Sequence, residues 1–178
     1  SGERVFVRLA EFPAATFDEL FEGVRAVNWT DYVSPRGKIT VITKTVGSAL
    51  TAHHAIQSIG KKAIGSAFGT LPEDGEEYVV ELALCDDVCS VNLDTTGVGL
   101  HKRGYRTLPY TAPLKETTAA ALIDLSVWNP DKTFTDLFCG SGTLPIEAAM
   151  KALRIAPGMN RSFAYQNWVT VPKSAYET

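Results

Sequence analysis

The stretch Thr135-Asp136-Leu137-Phe138-Cys139-Gly140-Ser141-Gly142-Thr143-Leu144-Pro145-Ile146-Glu147 constrains the fold of this chain more than any other. Residues 134–138 form a short, mostly apolar run of the kind that suits a buried parallel strand. Gly140 and Gly142 then allow a sharp turn and a close backbone approach to a ligand. From Thr143 onward Ile146, Ala149, Met150 and Leu153 recur at helical spacing, which predicts a helix with Thr143 as N-cap and Pro145 in its first turn. A strand that feeds a glycine turn and a helix N-terminus is the ligand-binding corner of a doubly wound sheet.

Two common ligands are excluded at this corner. A triphosphate loop needs Lys-Ser or Lys-Thr after its second glycine, and no lysine lies between Lys132 and Lys151. The dinucleotide fingerprint needs a third glycine where Pro145 stands. What remains is an acidic residue, Asp136, just ahead of Gly-x-Gly; a lone Gly-x-Gly is equally compatible with a plain turn that holds nothing. The octapeptide from Asp136 to Thr143 resembles the cofactor loop of class I S-adenosylmethionine methyltransferases, in particular the branch that methylates exocyclic amines of nucleobases.

Composition narrows the class further. With 178 residues, 45% apolar and 21% charged, the chain has the make-up of one or two globular domains. No apolar run approaches the roughly 18 residues of a membrane span, and the N-terminus lacks a signal-peptide pattern, so a cytoplasmic protein without a membrane partner is expected. Cys85, Cys89 and Cys139 follow no disulfide or zinc spacing, and adjacent His53 and His54 cannot chelate together from one helix face, so no metal is expected. The net charge of −3 hides an uneven distribution. Residues 73–94 carry eight acids and no Lys or Arg, whereas residues 95–115 carry four Lys or Arg and no acid.

Taken in order, a strand is expected over Arg4-Val5-Phe6-Val7-Arg8-Leu9, and Thr16-Phe17-Asp18-Glu19 reads as a capping box opening a helix with Leu20 and Val24 on its apolar face. Residues 38–46 predict a strand, residues 48–68 a helix that leaves Lys61 and Lys62 outside its buried stripe, and residues 77–85 and 88–94 a hairpin about Asp86-Asp87. Pro113 opens a further helix expected to reach Trp128. Between them, Lys102, Arg103 and Arg106 flank Tyr105, cations and a stacking ring of the kind that suits looped RNA, or else a solvated linker.

Four motifs occur in an order that decides between these readings. They are Gly99-Leu100-His101-Lys102-Arg103-Gly104-Tyr105-Arg106, Ala112-Pro113-Leu114-Lys115-Glu116-Thr117, the octapeptide from Asp136, and Ile155-Ala156-Pro157-Gly158-Met159-Asn160-Arg161-Ser162-Phe163. In this order they resemble the THUMP-domain RNA methyltransferases, the group with the large-subunit ribosomal RNA guanine-N2 methyltransferases and their Gram-positive relatives. The resemblance implies an α/β chain: an α+β half over residues 1–98, with part of a ferredoxin-like segment and a THUMP RNA-binding domain, then the linker and start of a Rossmann-like class I methyltransferase sheet over residues 99–178. It implies that Asp136, Phe138, Gly140, Ser141, Gly142 and Thr143 line an S-adenosylmethionine pocket, with Ala112, Pro113 and Leu114 near the methionine end. RNA, ribosomal RNA foremost, is the implied partner, reached through Lys102, Arg103, Arg106, Lys61 and Lys62.

The chain departs from the family pattern as well. Leu137 stands where proline is common, and the Asn/Asp-Pro-Pro-Tyr/Phe motif that grips the target amine is absent from these residues. The expectation is therefore an internal piece of an enzyme that methylates guanine N2, inactive alone, with Leu122, Ile123, Leu125, Ile146 and Met150 left exposed. The rivals are a non-catalytic RNA-binding protein, a transfer RNA methyltransferase and a DNA amine methyltransferase.

Overall fold

A computed structural model describes residues 2–69, 71–106 and 113–176. Their contacts divide them into two compact units: Val5–Gly97 with Phe163–Thr178, and Ser1–Arg4 with Val98–Ser162.

The first unit is a four-stranded mixed sheet with helices. Its elements run β1 (Phe6–Pro13), α1 (Phe17–Arg25), β2 (Lys38–Val46), α2 (His53–Phe68), β3 (Glu77–Cys85) and β4 (Val88–Asp94). The sheet order is β1-β4-β3-β2, with β2 and β3 parallel and the other pairs antiparallel. A parallel pair needs a crossover, and α2 supplies it between β2 and β3. Alternation does the rest: Tyr78, Val80, Leu82 and Leu84 of β3, with Val91 and Leu93 of β4, enter one core with Leu20, Val24, Ile56 and Ile64 of the helices.

Local chemistry sets the boundaries. Thr16 accepts from the Glu19 amide and the Glu19 carboxylate accepts from the Thr16 amide, so α1 starts in a closed capping box. The hairpin turns on Asp86 and Asp87, both left-handed at φ 49° and 62°, a conformation that aspartate adopts more readily than most residues with a Cβ. Here the Asp87 carboxylate accepts from the Ala49 amide at 2.7 Å, and Ser48 Oγ accepts from the Asp87 amide at 3.0 Å. Ser48 and Ala49 are thereby committed to the turn, and α2 begins at His53 instead of at residue 48. Within β4, burial pushes the Cys89 thiol up to about 12, so it behaves as an inert small hydrophobe.

The C-terminal segment returns to this unit. The amides of Ala164 and Tyr165 donate to the Thr96 and Thr95 carbonyls, and Trp168, 6% exposed, stacks on Tyr78 with ring centroids 5.1 Å apart. An aromatic-rich tail with little local order is thus made part of the core by contacts with residues far behind it in sequence.

The second unit carries α3 (Glu116–Leu125) and α4 (Thr143–Ala152), which pack on one another through Ala119, Ile123 and Ala148. Helix α3 is shorter than residues 113–128, because its last turn closes at Ser126. The strand expected over residues 134–138 does not form: no neighbour pairs with it among the described residues, and the Asp136 carboxylate accepts from the Phe138 amide at 3.2 Å, bending the backbone into a turn. Leu125, Leu137 and Phe138 are exposed and Leu122 half so, whereas Ile123, expected with them at the surface, is buried at 3%. No helix among the described residues is long and apolar enough to cross a membrane.

Candidate cofactor site

The glycine turn builds the site. Gly140 and Gly142 take φ values of 54° and 73°, where a Cβ is strained, and the Gly142 amide donates to the Cys139 carbonyl at 2.8 Å. Gly142, not Thr143, is the N-cap of α4, because its left-handed backbone already ends the turn. Thr143 becomes the first helical residue, and its hydroxyl lies 3.2 Å from that of Ser141.

A cavity of about 260 Å³ opens against this turn. Pro113, Leu114, Asp136, Phe138, Gly140, Ser141 and Thr143 line it, together with Cys139 and Leu144. Gly142 shapes the turn from behind the lining, and Ala112 lies outside the described residues. Cys139 and Leu144 escaped the sequence reading, although their place inside and beside the octapeptide is a signal that could have included them. The cavity offers a carboxylate, two hydroxyls and the start of a ten-residue helix, with apolar walls from Leu114 and Phe138. Such a donor and acceptor set suits a ligand with an ammonium, hydroxyls and a flat apolar body.

The basic segment carries ion pairs of its own. Arg103, 7% exposed in its side chain, pairs with Glu147 of α4 through both Nε and Nη2 at 3.3 Å, and its Nη1 donates to the Leu100 carbonyl. Tyr105 donates its hydroxyl to the same carboxylate at 3.2 Å, and burial, followed by the Glu147 and Glu116 charges, holds that phenol well above its usual range. Arg106 pairs with Glu116 at 2.9 Å. Both arginines are thus paired with carboxylates of their own unit. Lys102 remains exposed, as do Lys61 and Lys62 on α2, where the latter two border a wide cavity of about 560 Å³ with Phe21, Ser58 and Ser66. Among the described residues no group of three metal-ligating side chains gathers.

This combination of a βαβ-containing α+β unit and a glycine-turn cofactor corner defines a class. Residues 14–94 match the THUMP domain, and residues 103–177 match the RMKL-like methyltransferase domain. One chain thus carries, in this order, a match to a THUMP domain and a match to an RMKL-like methyltransferase domain. Among individual proteins it is similar to YpsC of Bacillus subtilis, described as a candidate RNA methyltransferase: 46% identity over 99% of this chain and 48% of the relative. It is also similar to the ribosomal RNA large subunit methyltransferase K/L of Photobacterium profundum, at 37% identity over 90% of this chain and 24% of that protein.

Two crystal structures share the architecture. SMU.472, a methyltransferase by description, complexed with SAH, gives 46% identity and a TM-score of 0.87 over 98% of this chain and 48% of its own. A protein of Listeria monocytogenes described as a predicted N6-adenine-specific DNA methylase gives 43% identity and a TM-score of 0.91, again over 98% and 48%. The chain thus spans about half the length of YpsC and of both structures.

Proposed function

We propose that this chain is the RNA-binding and cofactor-entry part of a cytoplasmic enzyme that transfers a methyl group from S-adenosylmethionine to the exocyclic N2 amine of a guanine in ribosomal RNA. The observation that carries the reading is the cavity in which Asp136, the glycine turn and the hydroxyls of Ser141 and Thr143 meet. S-adenosylmethionine supplies an electrophilic methyl. Asp136 is the acceptor for a cofactor ammonium or hydroxyl, the turn gives its backbone a close approach, and Leu114 and Phe138 offer apolar contact from one side. The relative bound to SAH supports the cofactor, and the ribosomal RNA relative supports the substrate.

Calorimetry with S-adenosylhomocysteine on the protein at its natural length tests this. Gly142→Val is expected to abolish measurable binding, because it strains the φ of 73° and so distorts the turn that holds Gly140, Ser141 and Thr143 in the lining. Asp136→Ala is expected to weaken binding about tenfold or more, the scale of one hydrogen bond to a charged group. Unchanged affinity in folded Gly142→Val would remove the assignment. The Listeria relative's description favours a second reading, an adenine N6 methyltransferase acting on DNA. Tritiated methyl transfer to unmodified ribosomal RNA, compared with duplex DNA, separates the two.

RNA binding falls in this reading to Lys61, Lys62 and Lys102, since Arg103 and Arg106 are taken up by carboxylates. A lysine that pairs with a phosphate displaces a counterion from the RNA. Replacing each lysine by alanine is therefore expected to flatten the logarithmic salt dependence of RNA binding by about 0.7–0.9 unit. A triple variant with the parent's slope would move the RNA surface elsewhere.

A further inference from the structure

The two walls of the cofactor cavity come from separate stretches of chain, and one side chain joins them. Arg106 donates from Nε to Glu116 Oε1 at 2.9 Å and from Nη2 to Thr143 Oγ1 at 2.8 Å. Glu116, buried at 7%, is the first residue of α3 and is separated only by Lys115 from Pro113 and Leu114 of one wall. Thr143, buried at 2%, is the first residue of α4 and belongs to the other wall beside Ser141. The Arg106 guanidinium also lies 5.8 Å from the Tyr105 ring, which limits its swing.

We propose that Arg106 is a positioning residue for cofactor binding: its guanidinium spans Glu116 and Thr143 and thereby fixes the separation of the cavity walls and the direction of the Thr143 hydroxyl. The inference rests on the cofactor reading above and goes beyond it, because Arg106 is not itself in the lining. The reason an arginine serves here is geometric. A planar fork presents two N–H groups in fixed directions to two partners, whereas a lysine ammonium at the end of a flexible stem holds them far less rigidly. With Arg106 in place the Thr143 oxygen accepts from the guanidinium, which leaves its own hydroxyl hydrogen free to be donated to Ser141 or into the cavity. Without it, Thr143 rotates and α3 and α4 lose their shared tie at the mouth.

The test is S-adenosylhomocysteine calorimetry on the protein at its natural length, with thermal unfolding followed in parallel. Arg106→Lys keeps the charge and is expected to weaken binding about tenfold. Thr143→Val is expected to weaken it to a similar degree, and the double variant no further than the weaker single, because both changes break one tie. Amide exchange of the Ile146 N–H, bonded to the Gly142 carbonyl in the first turn of α4, is expected to quicken in ligand-free Arg106→Lys. Parent-like affinity in Arg106→Lys, or losses that simply add in the double variant, would overturn the proposal. Failure of the unmutated protein to bind S-adenosylhomocysteine would instead overturn the cofactor reading, with the exchange measurement still reporting on the tie.

Discussion

Replacing Trp168 by alanine is expected to destabilise the sheet-bearing unit by about 3–5 kcal/mol, the range for removing a large buried aromatic. The indole is 6% exposed and stacked on Tyr78, which itself lies at 0% exposure and donates its hydroxyl to Glu76 at 2.7 Å. Loss of the ring leaves a void against β3 and frees the return segment that bonds Thr95, Thr96 and Glu76 through the amides of Tyr165, Ala164 and Val169. Trp168→Phe keeps most of the apolar packing and is expected to cost markedly less. Urea unfolding followed by circular dichroism decides the matter. A midpoint within error of the parent in Trp168→Ala would show that residues 163–176 contribute nothing to the unit.

Glu147→Ala is expected to cost the second unit about 3–5 kcal/mol, because it strands the guanidinium of Arg103 in a buried setting without its carboxylate. The pair is 7% and 4% exposed in its side chains, so solvent can do little to replace the lost partner. Replacing both residues with apolar ones, as in Arg103→Met with Glu147→Leu, is expected to recover much of the loss, since a buried ion pair stabilises little beyond a well-packed hydrophobic one. A spectroscopic readout accompanies the change. Burial dominates the upward shift of the Tyr105 phenol and the Glu147 charge adds to it, so Glu147→Ala is expected to lower the pH at which that tyrosine ionises. An unchanged tyrosine titration together with unchanged stability would remove the Arg103–Glu147–Tyr105 cluster from the account of this unit.

The elements legible in the sequence are those whose cause is local. Approximate alternation over residues 38–46 and the Asp86-Asp87 turn mark β2, β3 and β4, since side-chain period and turn chemistry act over a few neighbours. The Thr16 and Glu19 capping box fixes the start of α1 for the same reason. Gly140 and Gly142 announce a backbone that only glycine adopts freely, and the structure puts a cavity against them.

Tertiary structure alone decided the rest. Lys102, Arg103 and Arg106 are equivalent cations in sequence, yet Arg103 finds Glu147 forty-four positions away and Arg106 finds Glu116 ten positions away, while Lys102 stays in solvent. A charge pairs with whatever the fold brings within a few ångströms, and sequence separation carries no record of that distance. The strand expected over residues 134–138 depends equally on a distant partner: its composition suits a ladder, but no neighbour pairs with it among the described residues, and the Asp136 carboxylate takes the Phe138 amide in a turn. Trp168 reads as one aromatic in an irregular tail until Tyr78, ninety residues earlier, supplies the ring it stacks on. Local backbone preference is written in adjacent residues, whereas burial and charge pairing exist only once the chain has folded.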